Sequence, residues 1–282
     1  MASLPADSPL LSVKSGRVKA ARRLARRVSR ADSRLFLAEG PQAVREALDL
    51  LGCVVEVFAV PEAAASHPDI HDRATGAGVT WRPVDEAALM SLAETVHPQG
   101  LVAVCRFLDR PLVDVLPDAV STRAGLVAVC ADVRDPGNAG TVIRCADAAG
   151  AAAVVLTGSS VDPYNGKAVR ASVGSLFHLG IAIEPDTAVV VGELQRRGYQ
   201  VLAADGAGET DLDDALDEGQ LQRPTAWLFG NEAWGLPGPV ASLADQRVRI
   251  PIHGRAESLN LATAAAVCLY ASARAQRRRE RE

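Results

Sequence analysis

The chain has 282 residues, 48% apolar and 23% charged. These values exclude a chain disordered throughout and allow two ordinary domains or one large one. The net charge of −4 conceals an asymmetry: residues 1–40 carry nine Lys/Arg against Asp7, Asp32 and Glu39, whereas the remaining 242 residues carry 21 basic and 31 acidic side chains, so a basic arm on an acidic body points to a polyanionic partner met by one end of the chain.

After a loose start over residues 1–13, residues 16–30 place Val18, Ala21, Leu24, Ala25 and Val28 on one face of a predicted helix. Lys19, Arg22, Arg23, Arg26, Arg27 and Arg30 lie around it. Helix and strand signals then alternate: PQAVREALDLLG, CVVEVFAV, turns around Ala74–Gly78, DEAALMSLAE and GLVAVCRF. They predict a small α/β domain over 14–108. Residues 109–123, with two prolines and scattered charge, read as a linker. From 124 onward, continuous apolar runs (GLVAVCAD, AAVVLTG, YQVLAADG, TAWLFG, QRVRIPI) alternate with helical stretches, the pattern of parallel strands buried on both faces. GELQRRG and the long LNLATAAAVCLYASARAQRRRERE are the clearest helices, the last ending in a solvated basic tail. The predicted class is α/β, with a second domain over 124–282.

The five cysteines (53, 105, 130, 145, 268) include no CxxC pair, and most sit in apolar runs. Buried thiols in a reducing cytoplasm are expected, rather than a disulfide framework or a zinc site. No apolar run reaches membrane-spanning length and no signal peptide opens the chain, so no membrane partner is expected. The Arg-rich start leaves an organelle transit peptide as a minor alternative. His67 and His71 are four apart, but Pro68 lies between them and no third ligand is near, so they read as loop histidines and no metal is expected. The acidic run 209–218 lacks calcium-loop spacing, and neither a GxSxG elbow nor a P-loop occurs.

Ligands of an open parallel sheet bind beyond the carboxyl ends of its strands. Three polar, glycine-bearing loops qualify. In DVRDPGNAGTVIR, Asp135-Pro136-Gly137-Asn138 makes a turn in which Asn138 is a candidate helix cap, with Arg144 six residues on. In FGNEAWGLPG, Gly230 permits a tight turn and Asn231 and Glu232 are expected to be exposed. In IPIHGRAESLN, Ser258 stands near the start of the last helix as its candidate cap, with Asn260 just inside.

Taken together, NAGTVIR (138–144), GNEAWGL (230–236) and IPIHGRAESLN (250–260) resemble the SPOUT class of RNA methyltransferases, in its SpoU/TrmH branch. GRVKAARRLARR, FLAEGPQAVREAL and HPQGLVAV resemble the substrate-binding domain that often precedes its catalytic domain. The resemblance spans most of residues 14–275. It implies a deep trefoil knot, a homodimer, and S-adenosylmethionine held by main chain around Gly230, Ile250 and Leu259. The implied reaction is methyl transfer to a ribose 2′-OH of RNA, with 23S ribosomal RNA favoured over transfer RNA. Asn138, Arg144, Glu232, Ser258 and Asn260 would form the catalytic set, and Lys19, Arg22, Arg23, Arg26 and Arg27 would contact RNA phosphates.

The resemblance offers Arg144 as general base, whereas an arginine side chain is ordinarily a fixed cation. Gripping a substrate phosphate or stabilising the developing alkoxide is the role that chemistry favours, with a neutral guanidine as the competing reading. Glu232 is expected to order either Arg144 or the Asn138 loop. Two further functions stay open on sequence alone: a non-catalytic RNA-binding or ribosome-assembly protein, and an enzyme that methylates a base.

Overall fold

In a computed structural model of the chain, residues 9–119 and 125–279 are described. Residues 120–123 of the expected linker, most of the loose start and the end of the basic tail lie outside them. The chain divides into two compact units. The first takes in residues up to Leu108 together with Tyr164–Phe177, and the second Asp109–Pro163 and the chain from His178 onward.

The first unit is built on strands β1 (Leu35–Glu39), β2 (Val54–Ala59), β3 (Thr80–Pro83) and β4 (Leu101–Arg106), in the order β1-β4-β2-β3. The sheet is mixed: β4 is antiparallel to both β1 and β2, and β3 is parallel to β2. Every residue of β4 from Leu101 to Cys105 is buried, as befits a central strand. Helices Pro41–Asp49 and Pro68–Gly76 each start on a proline, which lacks the N–H that a first-turn position leaves unbonded. Ala74 to Gly76 and His71 therefore sit in a helix, contrary to the predicted turn and loop; the chain turns only at Ala77 and Gly78, where Gly78 takes a φ of +69°. Tyr164 stacks on Phe107 with ring centroids 3.9 Å apart and lies 4.8 Å from Phe36, which also faces Phe177 at 6.1 Å. Buried aromatic contacts of this kind draw Tyr164–Phe177 into the first unit, although sequence reading assigns it to the domain over 124–282.

The predicted helix over 16–30 is two helices, Gly16–Arg22 and Arg27–Ser33, joined by a 3₁₀ turn at Arg23–Ala25 and an extended Arg26. Val18, Ala21 and Leu24 are buried, but Val28 is 71% exposed and Arg30 only 3%. The Arg30 guanidinium donates to the carbonyl oxygens of Leu24 and Ala25, both at 2.9 Å. It thereby takes up backbone acceptors that the end of the first helical segment leaves unpaired. Lys19, Arg22, Arg23, Arg26 and Arg27 are exposed, as expected.

The second unit holds β5 (Leu126–Ala131), β6 (Ala153–Thr157), β7 (Gly180–Glu184), β8 (Gln200–Ala204), β9 (Thr210–Asp211), β10 (Thr225–Phe229) and β11 (Gln246–Arg249). They form one seven-stranded sheet, ordered β7-β6-β5-β10-β8-β11-β9, and every pairing in it is parallel. β5, β6 and β10 are buried along their whole length, which is why they read as unbroken apolar runs. Strands β1, β3, β7 and β9 escape sequence reading, and none of them is buried along its whole length. The described part of 109–123 is no free linker: it contains a helical turn, Leu112–Val115, and Val115, Leu116 and Ala119 pack into the core of the second unit. The last helix, Leu261–Arg279, is tied to β10 by the buried Trp227 indole, which donates to Ser272 Oγ at 2.9 Å.

Candidate active site

β5 and β10 lie side by side, but the chain leaves β5 for β6 on one flank and β10 for β11 on the other. Loops that diverge in this way open a crevice at the carboxyl ends of the strands. The loop after β5 leads into helix Pro136–Ala149, whose N-cap is Asp135: its carboxylate accepts from the Asn138 N–H at 2.8 Å. Sequence reading gave that role to Asn138. Pro136 decides the matter, because proline suits the first helical position and so sets the cap one residue before it.

Relieved of capping, the Asn138 side chain joins the other two loops. Its Nδ2 donates to Glu232 Oε1 at 3.1 Å, and its Oδ1 accepts from Asn260 Nδ2 at 3.2 Å. The Glu232 carboxylate also accepts from the N–H groups of Arg134 and Asp135, at 3.3 and 3.2 Å. Of the two partners expected for Glu232, it takes the Asn138 loop; among the described residues no hydrogen bond or ion pair links it to Arg144. Arg144 stands exposed on the same helix as Asn138, about 9 Å further along the axis.

Asn260 is also the cap of the last helix, its Oδ1 accepting from the Ala262 N–H at 2.9 Å. Capping thus falls to Asn260, immediately before Leu261, and not to Ser258, which stays exposed on the cavity wall. The loop after β10 is tied down by hydrogen bonds. Asn231 and Gly235 exchange two backbone hydrogen bonds, each 2.9 Å. The Asn231 side chain donates to the Asp132 carbonyl at 2.7 Å and accepts from the Ala233 N–H at 2.8 Å. Asn231 is 5% exposed, opposite to the expectation; once its amide is spent on neighbouring backbone, it can be buried at little cost. A Cβ on Gly230 would lie 2.4 Å from the Gly235 carbonyl carbon, so only glycine fits there.

Next to this network, at the ends of β8, β10 and β11, lies a cavity of about 310 Å³. Gly230, Ile250, Ile252, Leu259 and Leu261 contribute main chain and apolar wall, and Ser258 a hydroxyl. Asp205, Glu232 and Glu257 also line it, and none of its described lining residues is basic. Such a cleft favours a ligand that is part apolar and part cationic. An adenosyl sulfonium compound carrying an ammonium group meets that description, and the volume suits a molecule of its class. Asp205, Ile252, Glu257 and Leu261 are not singled out by sequence reading, although Ile252 and Glu257 lie inside the IPIHGRAESLN motif, Leu261 follows it and Asp205 follows the end of β8. Cys130, at the end of β5, is pushed up to about 12 by burial, with the negative charge of Glu232 adding to the effect, so it stays a neutral thiol.

The site's setting recurs in known proteins. Residues 125–270 match the SpoU rRNA Methylase family, and residues 16–103 the MRM3-like substrate binding domain. The chain is 32% identical to the 23S rRNA (guanosine(2553)-2′-O)-methyltransferase RlmP of Bacillus subtilis, over 92% of its own length and 96% of the relative's. An AdoMet-bound rRNA methyltransferase from Sinorhizobium meliloti is similar in structure, with a TM-score of 0.76 at 32% identity over 94% of this chain and 98% of that one. The SpoU methyltransferase AviRb from Streptomyces viridochromogenes, in complex with AdoMet, gives 0.78 at 28% identity over 93% and 98%.

Proposed function

The chain belongs to the SpoU rRNA methylase family, and from that membership we infer an S-adenosylmethionine-dependent 2′-O-ribose methyltransferase of 23S rRNA that works at the cavity beside Asn138, Glu232 and Asn260. The observation that carries the placement is the three-loop network: one carboxylate and two amides fix the cavity's rim. When bound, S-adenosylmethionine supplies an electrophilic methyl group on a sulfonium. Gly230, Ile250 and Leu259 hold the adenosyl portion by main chain and apolar contact, and Asp205, Glu232 and Glu257 provide a negative field for the cationic remainder.

In-line attack needs the ribose hydroxyl held in one orientation. Asn138, Ser258 and Asn260 are the neutral hydrogen-bonding side chains placed for that work, and Glu232 keeps Asn138 in one rotamer. Arg144 supplies positive charge, to a substrate phosphate or to the oxygen as its proton departs. The same reading includes a deep trefoil knot in the second unit, a homodimer, and action in the cytoplasm, all supported by family kinship. The test is transfer of radiolabelled methyl to 23S rRNA, with digestion to an alkali-resistant dinucleotide. Label in an alkali-labile position would refute the ribose assignment, and label in transfer RNA alone would refute the RNA class.

Lys19, Arg22, Arg23, Arg26 and Arg27, exposed around the broken helix, form the phosphate-contacting surface in this reading. Replacing all five by glutamine should flatten the dependence of log affinity on log salt by about 0.7–0.9 per charge removed. Anisotropy titrations of labelled rRNA across a KCl series measure it; an unchanged slope would remove these residues from the interface.

A further inference from the structure

Trp234 is 58% exposed; of the aromatic side chains of the described residues, only it and Tyr270 are exposed. A singly exposed apolar residue means little by itself. What distinguishes Trp234 is its mounting. It sits within the Asn231–Gly235 loop closed by two backbone hydrogen bonds, anchored to the chain after β5 through Asn231 and Asp132, and turned by Gly235 at a φ of +68°. Both of its chain neighbours, Ala233 and Gly235, line the cavity. Trp234 itself is not among the described residues lining the cavity; its exposed indole is carried between two that are, on a loop held by backbone hydrogen bonds, and a rigid aromatic loses little entropy when it is covered.

A nucleotide that offers its ribose to an enclosed site leaves the base stack, and its base then lacks a π-face to lie on. In a chain with 4% aromatic residues, few side chains can supply one. We propose that Trp234 is a positioning residue for the RNA, its indole stacking on the base of the nucleotide whose ribose faces the cavity. This role rests on the ribose methyltransferase reading given above.

The test compares Trp234→Ala, Trp234→Leu and Trp234→Phe with the wild type, using transcribed 23S rRNA as substrate. Stacking on an aromatic face is worth enough that Trp234→Ala should raise the KM for RNA about 10- to 100-fold, with kcat changed less and S-adenosylmethionine affinity by calorimetry unchanged. Trp234→Leu keeps apolar bulk without a π-face and should behave like Trp234→Ala, whereas Trp234→Phe should recover most of the loss. RNA should also quench wild-type indole emission, with that part of the quench gone in Trp234→Phe. A KM restored by leucine, or unchanged in all three variants, overturns stacking. Variants that dissociate into smaller particles in sedimentation, with the KM rising in step, overturn it in favour of a contact between two copies of the chain. A wild-type protein that transfers no methyl defeats the underlying reading and this role with it; transfer with an unchanged KM in Trp234→Ala defeats the stacking role alone.

Discussion

Arg144→Ala is expected to lower kcat by about 100- to 1,000-fold, the usual effect of removing one group that stabilises charge developing in a transition state. Cofactor affinity should hold, because Arg144 is not among the described residues lining the cavity. The fold should hold too: the side chain is exposed and makes no hydrogen bond or ion pair among the described residues, and substitutions at such positions usually shift stability by no more than about 0.5 kcal/mol. Arg144→Lys should recover part of the rate, since an ammonium restores the charge but not the planar donor fork. Single-turnover methyl transfer at saturating cofactor separates the chemical step from binding. An unchanged single-turnover rate in Arg144→Ala would remove the residue from the chemistry and leave the site to its neutral side chains.

Gly230→Ala should act on the cofactor instead. Its Cβ would meet the Gly235 carbonyl carbon at 2.4 Å, the Gly235 oxygen at 2.5 Å and the Leu236 nitrogen at 2.6 Å. All three are backbone atoms and none can rotate aside. Forcing a methyl group into packed structure costs about 1–3 kcal/mol, and relief requires moving the loop that carries Glu232 away from Asn138. Calorimetry should show S-adenosylmethionine binding lost, and Tm should fall by several degrees. Gly238→Ala is the control, because a Cβ there meets nothing within 4 Å. Wild-type cofactor affinity in Gly230→Ala would show that the loop yields more easily than its hydrogen bonds suggest.

Sequence reading succeeded where one physical cause leaves a long trace. Strands covered on both faces must be apolar throughout, and β5, β6, β8 and β10 were read from that alone. It failed where two residues of similar chemistry compete for one role. Asp135 and Asn138 are both good caps, as are Ser258 and Asn260, and in each pair geometry picked the other member. Freeing Asn138 is what allows the three loops to meet; sequence reading anticipates the tie from Glu232 to the Asn138 loop but not the bond from Asn260 to Asn138. Arg30 shows a different limit. Periodicity counts an arginine as a solvent-facing residue, yet this one is buried against the backbone of the turn before it, and the expected continuous helix breaks at Arg26. Exposed or buried status at a loop tip is equally hidden, because Asn231 and Glu232 are adjacent and similarly polar, and only the hydrogen-bond partners of Asn231 draw it inward.

The placement of Tyr164–Phe177 bears on how the protein is made. Chain order and structural membership disagree: the boundary between the two units is crossed at 108, again at 163 and once more at 177. No single proteolytic cut or truncation point divides the molecule into its two halves. On the ribosome, domains tend to fold in the order in which they emerge. Here the rings that complete the aromatic cluster around Phe36 and Phe107 are synthesised only after β5, helix Pro136–Ala149 and β6 have already appeared. The first unit therefore lacks part of its aromatic cluster until the opening strands of the second have been synthesised.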